Sequence, residues 1–217
     1  MGLAAPVRVA VLASGSGTNL QALLDAAAES DFPAAIAVVL SNRPKAYALE
    51  RARQAGIPVE VVRVRDFEDR QAYDAEVVRR LQSHGVEWVA LAGYMRLVTE
   101  VFLDAFPNRV LNIHPSLLPS FTGLHAQEQT LDYGVRVGGC TVHLVDAGTD
   151  TGPIIGQAVV PVEPGDTPDD LKARILVQEH RLYPLCLRWA VEGRLTVEGR
   201  RVHVALNPGE RTVLWGC

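Results

Sequence analysis

The sequence predicts an α/β fold, a doubly wound and mostly parallel sheet with helices on both faces and a small C-terminal hairpin. Strand-length apolar runs alternate with helix-length amphipathic segments through residues 7–92. Glycine and proline punctuate this series, as at Gly56-Ile57-Pro58. The chain has 217 residues, of which 48% are hydrophobic, so it can bury a core without a metal or a disulfide.

The first half is predicted as a β-α-β-α-β-α-β series. Its predicted strands are Val7–Ala13, Ala34–Leu40, Val59–Val62 and Trp88–Ala92. The first is an apolar run broken only by Arg8 and the second is also apolar, which is typical of strands buried on both faces. The predicted helices are Leu20–Glu29, Ala46–Ala55 and a third that Asp66 and Asp69 open and that ends at His84-Gly85. Because a helix follows each strand, we expect the strands to be parallel.

The second half is predicted to be less regular. Its segments are the strand Arg109–His114, the loop His114–Gly123, a helix from about His125 to Tyr133, the strands Gly139–Asp146 and Ile154–Val160 around the loop Ala147–Pro153, and the hairpin Arg194–Val204. Thr167 and Pro168, followed by two acids, predict a helix that runs toward Trp189 and that Pro184 kinks. We expect one domain over residues 1–217, with halves of about 1–107 and 108–217.

The composition argues against several classes of function. Lys and Arg total 21 and Asp and Glu total 25, a formal charge of −4, whereas a nucleic-acid-binding protein needs a basic face. No apolar run approaches the roughly 20 residues that span a bilayer, and the N-terminus lacks the features of a signal peptide. The three cysteines are far apart, as expected in a reducing compartment. We therefore expect a cytoplasmic protein that binds neither nucleic acid nor membrane.

The segment Ser14–Asn19 joins the first predicted strand to the first predicted helix. Its glycines let backbone amides approach a ligand, and the free amides at the helix start favour an anion. Leu20 stands where a dinucleotide-binding motif has its third glycine, and no Gly-Lys-Ser/Thr follows. The sequence favours a small phosphomonoester here, with a tight turn capped by a hydroxyl group as the alternative.

Asn112, His114 and Asp150 are the candidate catalytic residues. Asn112 and His114 share a face at the carboxyl end of a predicted strand, where ligands bind in open parallel sheets. Asparagine offers a neutral donor to a developing oxyanion, and histidine titrates near neutrality. Asp150 lies on a loop from which it can approach the histidine and keep it protonated. Taken singly, Asn112 can also be a turn residue, His114 a core imidazole and Asp150 a loop acid.

Four strings occur together in the chain: Ser-Gly-Ser-Gly-Thr-Asn-Leu-Gln from Ser14, Ala-Gly-Tyr-Met-Arg from Ala92, Leu-Asn-Ile-His-Pro-Ser-Leu-Leu-Pro from Leu111, and Val-Asp-Ala-Gly-Thr-Asp-Thr-Gly-Pro-Ile from Val145. With these strings the chain closely resembles the phosphoribosylglycinamide formyltransferases, folate-dependent enzymes of de novo purine synthesis, from about Val7 to Gly193. The third string marks the wider folate formyltransferase superfamily. The glycine-rich loop and Gly123-Leu-His narrow the resemblance to this member.

The resemblance implies transfer of the formyl group of 10-formyltetrahydrofolate to the amine of glycinamide ribonucleotide. It implies a formyltransferase-like fold with a phosphate-binding first half and a folate-binding, catalytic second half. Asn112, His114 and Asp150 match the family's catalytic residues. The residues implied to bind the ribonucleotide are Gly17, Thr18, Asn19 and Glu179, and those implied to bind folate are Arg70, Met95, Arg96, Leu97, Val98, Asn112, Ala147, Gly148, Thr149 and Asp150.

Two further histidines match supporting positions of the family. His143 shares a strand face with Thr141, and core packing is its alternative role. His125 also matches, but Gln127 stands where family members commonly have a second histidine. We expect folate as the co-substrate and no metal, because the sequence shows no cluster of metal-ligating residues. The expected partners are small molecules, and the expected state is a monomer or homodimer.

Three other functions are alternatives to transfer of the formyl group to glycinamide ribonucleotide. The formyltetrahydrofolate deformylases use the same three residues with water as nucleophile, but carry an N-terminal regulatory domain for which a first strand at Val7 leaves no room. The methionyl-tRNA formyltransferases need a C-terminal RNA-binding domain and a basic face. A nucleotide-binding module would bind phosphate without turnover. The strings above favour the phosphoribosylglycinamide formyltransferases.

Overall fold

The computed structural model describes residues 5–216. It is made of two compact units, one up to Leu111 and one from Asn112, so the division falls inside the strand Val110–His114. The sequence places the change of character close to this point, at about residues 107–108. A single domain over the whole chain stays a prediction.

The first unit has a parallel sheet. Its strands are β1 (Val7–Leu12), β2 (Ala34–Ser41), β3 (Val59–Val61) and β4 (Trp88–Leu91), in the order β3-β2-β1-β4, with the start of β5 (Val110–His114) beside β4. β1 pairs in parallel with β2 and β4, and β2 with β3. The helices are α1 (Thr18–Ala27), α2 (Tyr47–Gln54), α3 (Arg70–Ser83) and α4 (Glu100–Ala105).

The apolar runs of β1 and β2 are buried on both faces, as the sequence predicts, whereas the edge strand β3 is only partly buried. The four consecutive residues Val9–Leu12 of β1 are each 0% exposed, which requires cover on both sides of the strand. α1 and α2 pack against β2. The glycine-rich loop follows β1 and residues 92–98 follow the neighbouring β4, so both segments lie at the carboxyl edge of the parallel sheet, where α/β proteins bind ligands.

Two details of the first unit differ from the sequence-based prediction. Asp69 alone caps α3, accepting a hydrogen bond from the Ala72 amide at 2.8 Å, whereas Asp66 ends a separate short 3-10 helix. The six-residue helix α4 was not predicted. Its start is held by a tertiary contact, because the Thr99 amide donates to Asp74 at 2.6 Å, and sequence periodicity carries no signal for such a contact.

The second unit has a mixed sheet. Its strands are β5, β6 (Val137–Leu144), β7 (Ile154–Pro161), β8 (Leu195–Glu198), β9 (Arg201–Val204) and β10 (Val213–Trp215), and its helices are α5 (Ala126–Tyr133) and α6 (Pro168–Val191). The strand order is β5-β6-β7-β9-β8, and β10 also pairs with β7. β6 and β7 are antiparallel, as are β8 and β9 in the predicted hairpin. β7 pairs in parallel with β9 and β10.

Helix α6 is the long element that packs on β6 and β7. A capping box starts it, in which the Thr167 hydroxyl accepts from the Asp170 amide and the Asp170 carboxylate accepts from the Thr167 amide. The helix continues through Pro184 to Val191. Its apolar face buries Leu171, Ile175 and Leu182 completely or almost completely.

The C-terminal segment contains a strand that the sequence analysis did not predict. β10 has only three residues, all of them apolar, so its sequence shows no alternation of polar and apolar residues. Its position depends on pairing with β7, which is distant in the sequence. Cys140 and Cys186 are free and buried, while Cys217 lies outside the described residues. Among the helices of residues 5–216, none is long and apolar enough to cross a membrane.

The capping box gives a test of α6 stability. We expect Thr167→Ala to lower the free energy of unfolding by about 1 kcal/mol, because the Asp170 amide loses its acceptor at the helix start. Chemical denaturation measures the effect, with Thr149→Ala, on an exposed loop, as the control. Equal stability of the two variants would show that the box does not stabilise the helix.

Candidate active site

Three side chains of the second unit form one polar cluster. Asn112 and His114 extend from the same face of β5, as the alternation predicts, and Asp150 comes from the loop between β6 and β7. Asp150 Oδ1 lies 3.4 Å from Asn112 Nδ2, and Asp150 Oδ2 lies 3.4 Å from His114 Nδ1. The structure therefore brings together the three residues that the sequence singled out.

Asp150 is held in an unusual backbone conformation. Its φ is +54°, in the left-handed region that residues with a Cβ rarely adopt, and its Oδ2 accepts a hydrogen bond from the Gly123 amide at 2.8 Å. Burial raises the pKa of Asp150, but the hydrogen bond from the Gly123 amide and the neighbouring His114 lower it, so that the pKa lies below the ordinary value. The carboxyl group is therefore ionised at neutral pH.

His114 is buried and faces acceptors at both ring nitrogens. Its Nε2 lies 2.9 Å from the carbonyl oxygen of Phe121, which can only accept, so Nε2 carries a hydrogen. Its Nδ1 faces the carboxylate of Asp150. A hydrogen on Nδ1 would point at this carboxylate, so the ring can donate at both positions when both nitrogens carry hydrogen, which suits a group that stabilises negative charge.

His143 of β6 orients the amide of Asn112. Its Nδ1 lies 2.8 Å from the carbonyl oxygen of Leu144, so Nδ1 carries the hydrogen and Nε2 is free to accept. The Asn112 amide nitrogen donates to this Nε2 at 3.2 Å. The separation of 3.8 Å between His143 Nε2 and Asp150 Oδ1 is too long for a hydrogen bond. His143 thus supports the cluster through Asn112.

Polar residues that the sequence analysis did not assign to the site hold the loop of residues 115–123, which supplies the Phe121 carbonyl and the Gly123 amide. The Thr141 hydroxyl donates to the Ser116 carbonyl at 2.7 Å and accepts from the Leu118 amide at 3.0 Å. Gln157 Nε2 donates to the Leu118 carbonyl at 3.0 Å. The sequence feature that could have identified Thr141 and Gln157 is that they are polar side chains in strands that are otherwise mostly apolar.

The glycine-rich loop of the first unit leaves the start of α1 open. Gly17 is the N-cap residue, with φ +73°, and no side chain caps the helix. The alternative of a turn capped by a hydroxyl group is therefore not what the structure shows. A Cβ at Gly17 would lie 2.8 Å from Ala48 Cα, so glycine permits the close approach of α2 to this loop.

Residues 95–98, also in the first unit, expose apolar side chains beside charged groups. Met95 is 55% exposed and Leu97 is 51% exposed, so neither is a core residue, while Val98 is buried. The Ser14 hydroxyl accepts from the Met95 amide at 2.9 Å, and Arg70 Nη2 donates to the Leu97 carbonyl at 2.9 Å. The position of Arg70 on its helix would by itself suggest only a solvated charge. The structure shows that its guanidinium has a defined hydrogen-bond acceptor.

The Arg96 guanidinium lies 4.5 Å from the centroid of the Tyr73 ring. Its Nε is buried and has no hydrogen-bond partner among residues 5–216. The structure thus leaves one buried donor of this segment unused. Because this atom is buried, a ligand group that accepts a hydrogen bond can satisfy it only if the Arg96 side chain moves.

The other candidate residues of the second unit have different surroundings. Glu179 is 4% exposed on α6, at the edge of the buried stripe where its spacing from Ile175 and Leu182 places it. Ala147, Gly148 and Thr149 are exposed on the loop that carries Asp150. The His125 side chain is 75% exposed and contacts Glu128 at 3.3 Å, so the structure does not bring it into the cluster of Asn112, His114 and Asp150.

Residues 7–187 match the family described as formyl transferase. The chain belongs to the formyl transferase family. It is 43% identical over 189 residues to the phosphoribosylglycinamide formyltransferase of Escherichia coli, covering 87% of this chain and 89% of the relative. It is 48% identical over 188 residues to the trifunctional purine biosynthetic protein adenosine-3 of Drosophila melanogaster, covering 86% of this chain but only 14% of that protein.

Solved structures of formyl transferases confirm the predicted fold. The glycinamide ribonucleotide transformylase 1 of Symbiobacterium toebii is 57% identical, with a TM-score of 0.90 over 92% of this chain and 94% of that one. The phosphoribosylglycinamide formyltransferase of Anaplasma phagocytophilum is 38% identical, with a TM-score of 0.88 over 97% and 98% of the two chains. The predicted α/β fold, a doubly wound and mostly parallel sheet with helices on both faces and a small C-terminal hairpin, is therefore confirmed, and the observed sheet is open and mixed.

The site of this formyl transferase contains no evident cluster of metal ligands. Within residues 5–216, no group of three or more His, Cys, Asp or Glu residues could hold an ion. Independence from metal ions stays a prediction. The polar cluster of the second unit consists instead of hydrogen-bond donors around one carboxylate.

The tautomer of His143 is testable by nitrogen NMR. The contacts with Leu144 and Asn112 require hydrogen on Nδ1 and none on Nε2, so we expect the Nε2 resonance of an unprotonated ring nitrogen near neutral pH. Asn112→Leu should remove the donor to Nε2 and shift that resonance, while Asp132→Asn, on the exposed face of α5, should not. A protonated Nε2 in the unaltered protein would contradict the proposed orientation of Asn112.

Proposed function

We propose that this formyl transferase moves the formyl group of 10-formyltetrahydrofolate to the amine of glycinamide ribonucleotide, in de novo purine synthesis. The products are formylglycinamide ribonucleotide and tetrahydrofolate. The observation that carries the proposal is the cluster of Asn112, His114 and Asp150, which combines two hydrogen-bond donors with one ionised carboxylate. Those groups match the needs of acyl transfer to an amine, in which an oxygen gains negative charge and a nitrogen loses a proton.

The two donors reach the carboxylate through long contacts that a substrate can replace. Both Asn112 Nδ2 and His114 Nδ1 lie 3.4 Å from Asp150, whereas good N–H···O hydrogen bonds measure about 2.7–3.2 Å. The shorter contacts of the same side chains are made with His143 and with the Phe121 carbonyl, and these hold the groups in place. Each donor can therefore turn toward a formyl oxygen without losing its support.

Asp150 is the group best placed to accept a proton. Its lowered pKa keeps it ionised, and its position beside His114 lets the two groups share a proton during the reaction. The amine loses one proton as the new C–N bond forms, and the departing nitrogen gains one as the old C–N bond breaks. We assign this proton transfer to Asp150 and the stabilisation of the oxygen to Asn112 and His114.

The segment of residues 95–98 fits a folate. The exposed Met95 and Leu97 offer apolar contact to a flat pterin ring, and the unused donor of Arg96 suits an acceptor group on the ligand. Folate supplies the formyl group, and these residues bind and orient it. We also assign folate contacts to Arg70, to Val98 and to the exposed loop residues Ala147–Thr149.

The glycine-rich loop suits the phosphate of the ribonucleotide. Backbone amides at the open start of α1, from Gly17 to Asn19, favour a dianion through aligned N–H donors and the helix dipole. The buried Glu179 is assigned to the amine and ribose portion of the substrate, since a carboxylate can accept from both. His125 and Gln127 are left with supporting roles at most.

We propose further that the protein works in the cytoplasm on small-molecule substrates, as a monomer or homodimer and without a metal. The net charge of −4 and the buried free thiols of Cys140 and Cys186 support this proposal. Neither nucleic acid nor a membrane is required by the reaction.

The catalytic assignment predicts the kinetics of three variants. Asn112→Ala and His114→Ala should each lower kcat by about a hundredfold or more, because each removes a donor to the developing oxyanion. Asp150→Asn should lower kcat with little change in the Kd of a folate analogue, because the proton acceptor is lost while the shape is kept. Steady-state rates of tetrahydrofolate release give the answer.

The same assay on Asp132→Asn, an exposed residue of α5, controls for the loss of a carboxylate. The double variant of Asn112 and His114 should fall far short of the product of the single effects, because the two donors act on one oxygen. Near-normal turnover of both alanine variants would refute the assignment.

The phosphate assignment predicts that a glycinamide riboside without phosphate loses about a hundredfold or more in kcat/KM, because hydrogen bonds to a charged group are lost. The KM for 10-formyltetrahydrofolate should stay the same. Gly17→Ala should cause a comparable loss with the full substrate, since the new Cβ would meet Ala48 and displace the loop.

Gly56→Ala is the matched control. Gly56 has φ +72°, almost the same as Gly17, but a Cβ there would meet nothing within 4 Å. Both variants carry the backbone strain, and only Gly17→Ala should alter the KM for the ribonucleotide. Equal kcat/KM for the substrates with and without phosphate would mean that the loop is only a tight turn.

A further inference from the structure

The carbonyl groups of the glycine-rich loop are turned toward α2. The Gly15 carbonyl accepts from the Ala48 amide at 3.1 Å, and the Ser16 carbonyl accepts from Arg51 Nε at 2.9 Å. Both donors belong to α2, one to its backbone and one to a side chain in its middle. Two successive peptide groups of the loop are therefore oriented by the same helix.

That orientation decides where the amides of the loop point. The C=O and N–H of a trans peptide point in opposite directions, and the cis peptide bond described for this chain, Leu118-Pro119, lies elsewhere. With the two carbonyls directed at α2, the Ser16 and Gly17 amides point away from α2. Successive backbone N–H groups on one side of a turn make a concavity that binds anions. The uncapped start of α1 continues this row of donors.

Arg51 is fixed in place by contacts on both sides. Its Nη1 donates to Gln21 Oε1 at 3.1 Å, and its guanidinium lies 5.1 Å from the centroid of the Tyr47 ring. Gln21 belongs to α1 and is itself held, because its Nε2 donates to Asp25 at 2.8 Å. The guanidinium thus joins the first turns of α1 to the loop, and a planar fork can make both hydrogen bonds at once.

We propose that Arg51 is a positioning residue of the phosphate site. It holds the Ser16 carbonyl so that the Gly17 amide faces the anion, and it places a positive charge behind the loop. This inference rests on the proposed function, in which the loop binds the phosphate of the ribonucleotide. It adds a side chain to a site that the sequence assigned to Gly17, Thr18 and Asn19.

Steady-state kinetics test the inference with Arg51→Met, Arg51→Lys and Arg53→Gln. Arg53 lies on the same helix, is exposed and pairs with Glu50 at 3.6 Å, so its variant loses the same charge without touching the loop. Arg51→Met should raise the KM for glycinamide ribonucleotide about tenfold to a hundredfold, the effect of losing a hydrogen bond from a charged group. The kcat and the KM for 10-formyltetrahydrofolate should change little, and Arg51→Lys should restore part of the loss.

A binding measurement keeps the inference separate from the proposed reaction. The Kd of inorganic phosphate and of ribose 5-phosphate should rise in Arg51→Met by a factor similar to the rise in KM, and stay unchanged in Arg53→Gln. If the unaltered protein binds phosphate but does not formylate glycinamide ribonucleotide, and Arg51→Met alone binds phosphate more weakly, the proposed function fails and the role of Arg51 stands. If Arg51→Met and Arg53→Gln bind phosphate equally well, the role of Arg51 is refuted.

Gln21→Ala provides a second variant that leaves the arginine in place. It should weaken phosphate binding less than Arg51→Met does, because Gln21 acts only through the guanidinium. The double variant should bind no more weakly than Arg51→Met alone, as expected for residues that share one interaction. Thermal unfolding of each variant tests whether the fold is intact. An additive effect of the two substitutions on phosphate binding would contradict the proposed contact.

Discussion

The proposed active site depends on the contacts that the Asp150 carboxylate makes with the donors around it. A buried charge is costly unless it is hydrogen-bonded, and the Gly123 amide, His114 and Asn112 all direct donors at it. The Gly123 amide belongs to the loop of residues 115–123, and the same loop supplies the carbonyl that holds the other nitrogen of His114. Two separate loops are thereby fixed by one anion. The donors are in position before a substrate arrives, which is the condition for electrostatic catalysis.

The two units contribute different kinds of groups. The first unit offers backbone amides at a helix start. The chain has only two lysines, Lys45 and Lys172, so the proposed phosphate site would depend on amides and arginine. The second unit offers side chains that titrate or donate, of which His114 and His143 are buried and Asn112 and Asp150 are partly buried. A phosphate far from the reacting atoms can supply binding energy that orients the amine, so the separation of roles is chemically useful.

Much of this arrangement was predictable from the sequence, because it follows from short-range pattern. Continuous apolar runs predict buried parallel strands, and the period of two puts Asn112 and His114 on one face. The Thr167 capping box is visible in four residues. Three features were not predicted because they depend on contacts between residues far apart in the sequence. Asp74 holds the start of α4, and β10 pairs with β7. The third feature is the set of hydrogen bonds between Thr141 and the loop of residues 115–123. The exposure of Met95 and the bond from Arg70 to the Leu97 carbonyl are of the same kind.

The central claim is that the formyl oxygen takes over the two long contacts of Asp150 while the two short contacts persist. The most direct test is a crystal structure with a folate analogue in which the formyl group is replaced by a carbonyl group that cannot be transferred. We expect the carbonyl oxygen to lie within about 3.2 Å of Asn112 Nδ2 and His114 Nδ1, with the contacts to His143 and the Phe121 carbonyl unchanged. An analogue oxygen that contacts neither donor, or that displaces His114 from the Phe121 carbonyl, would contradict it.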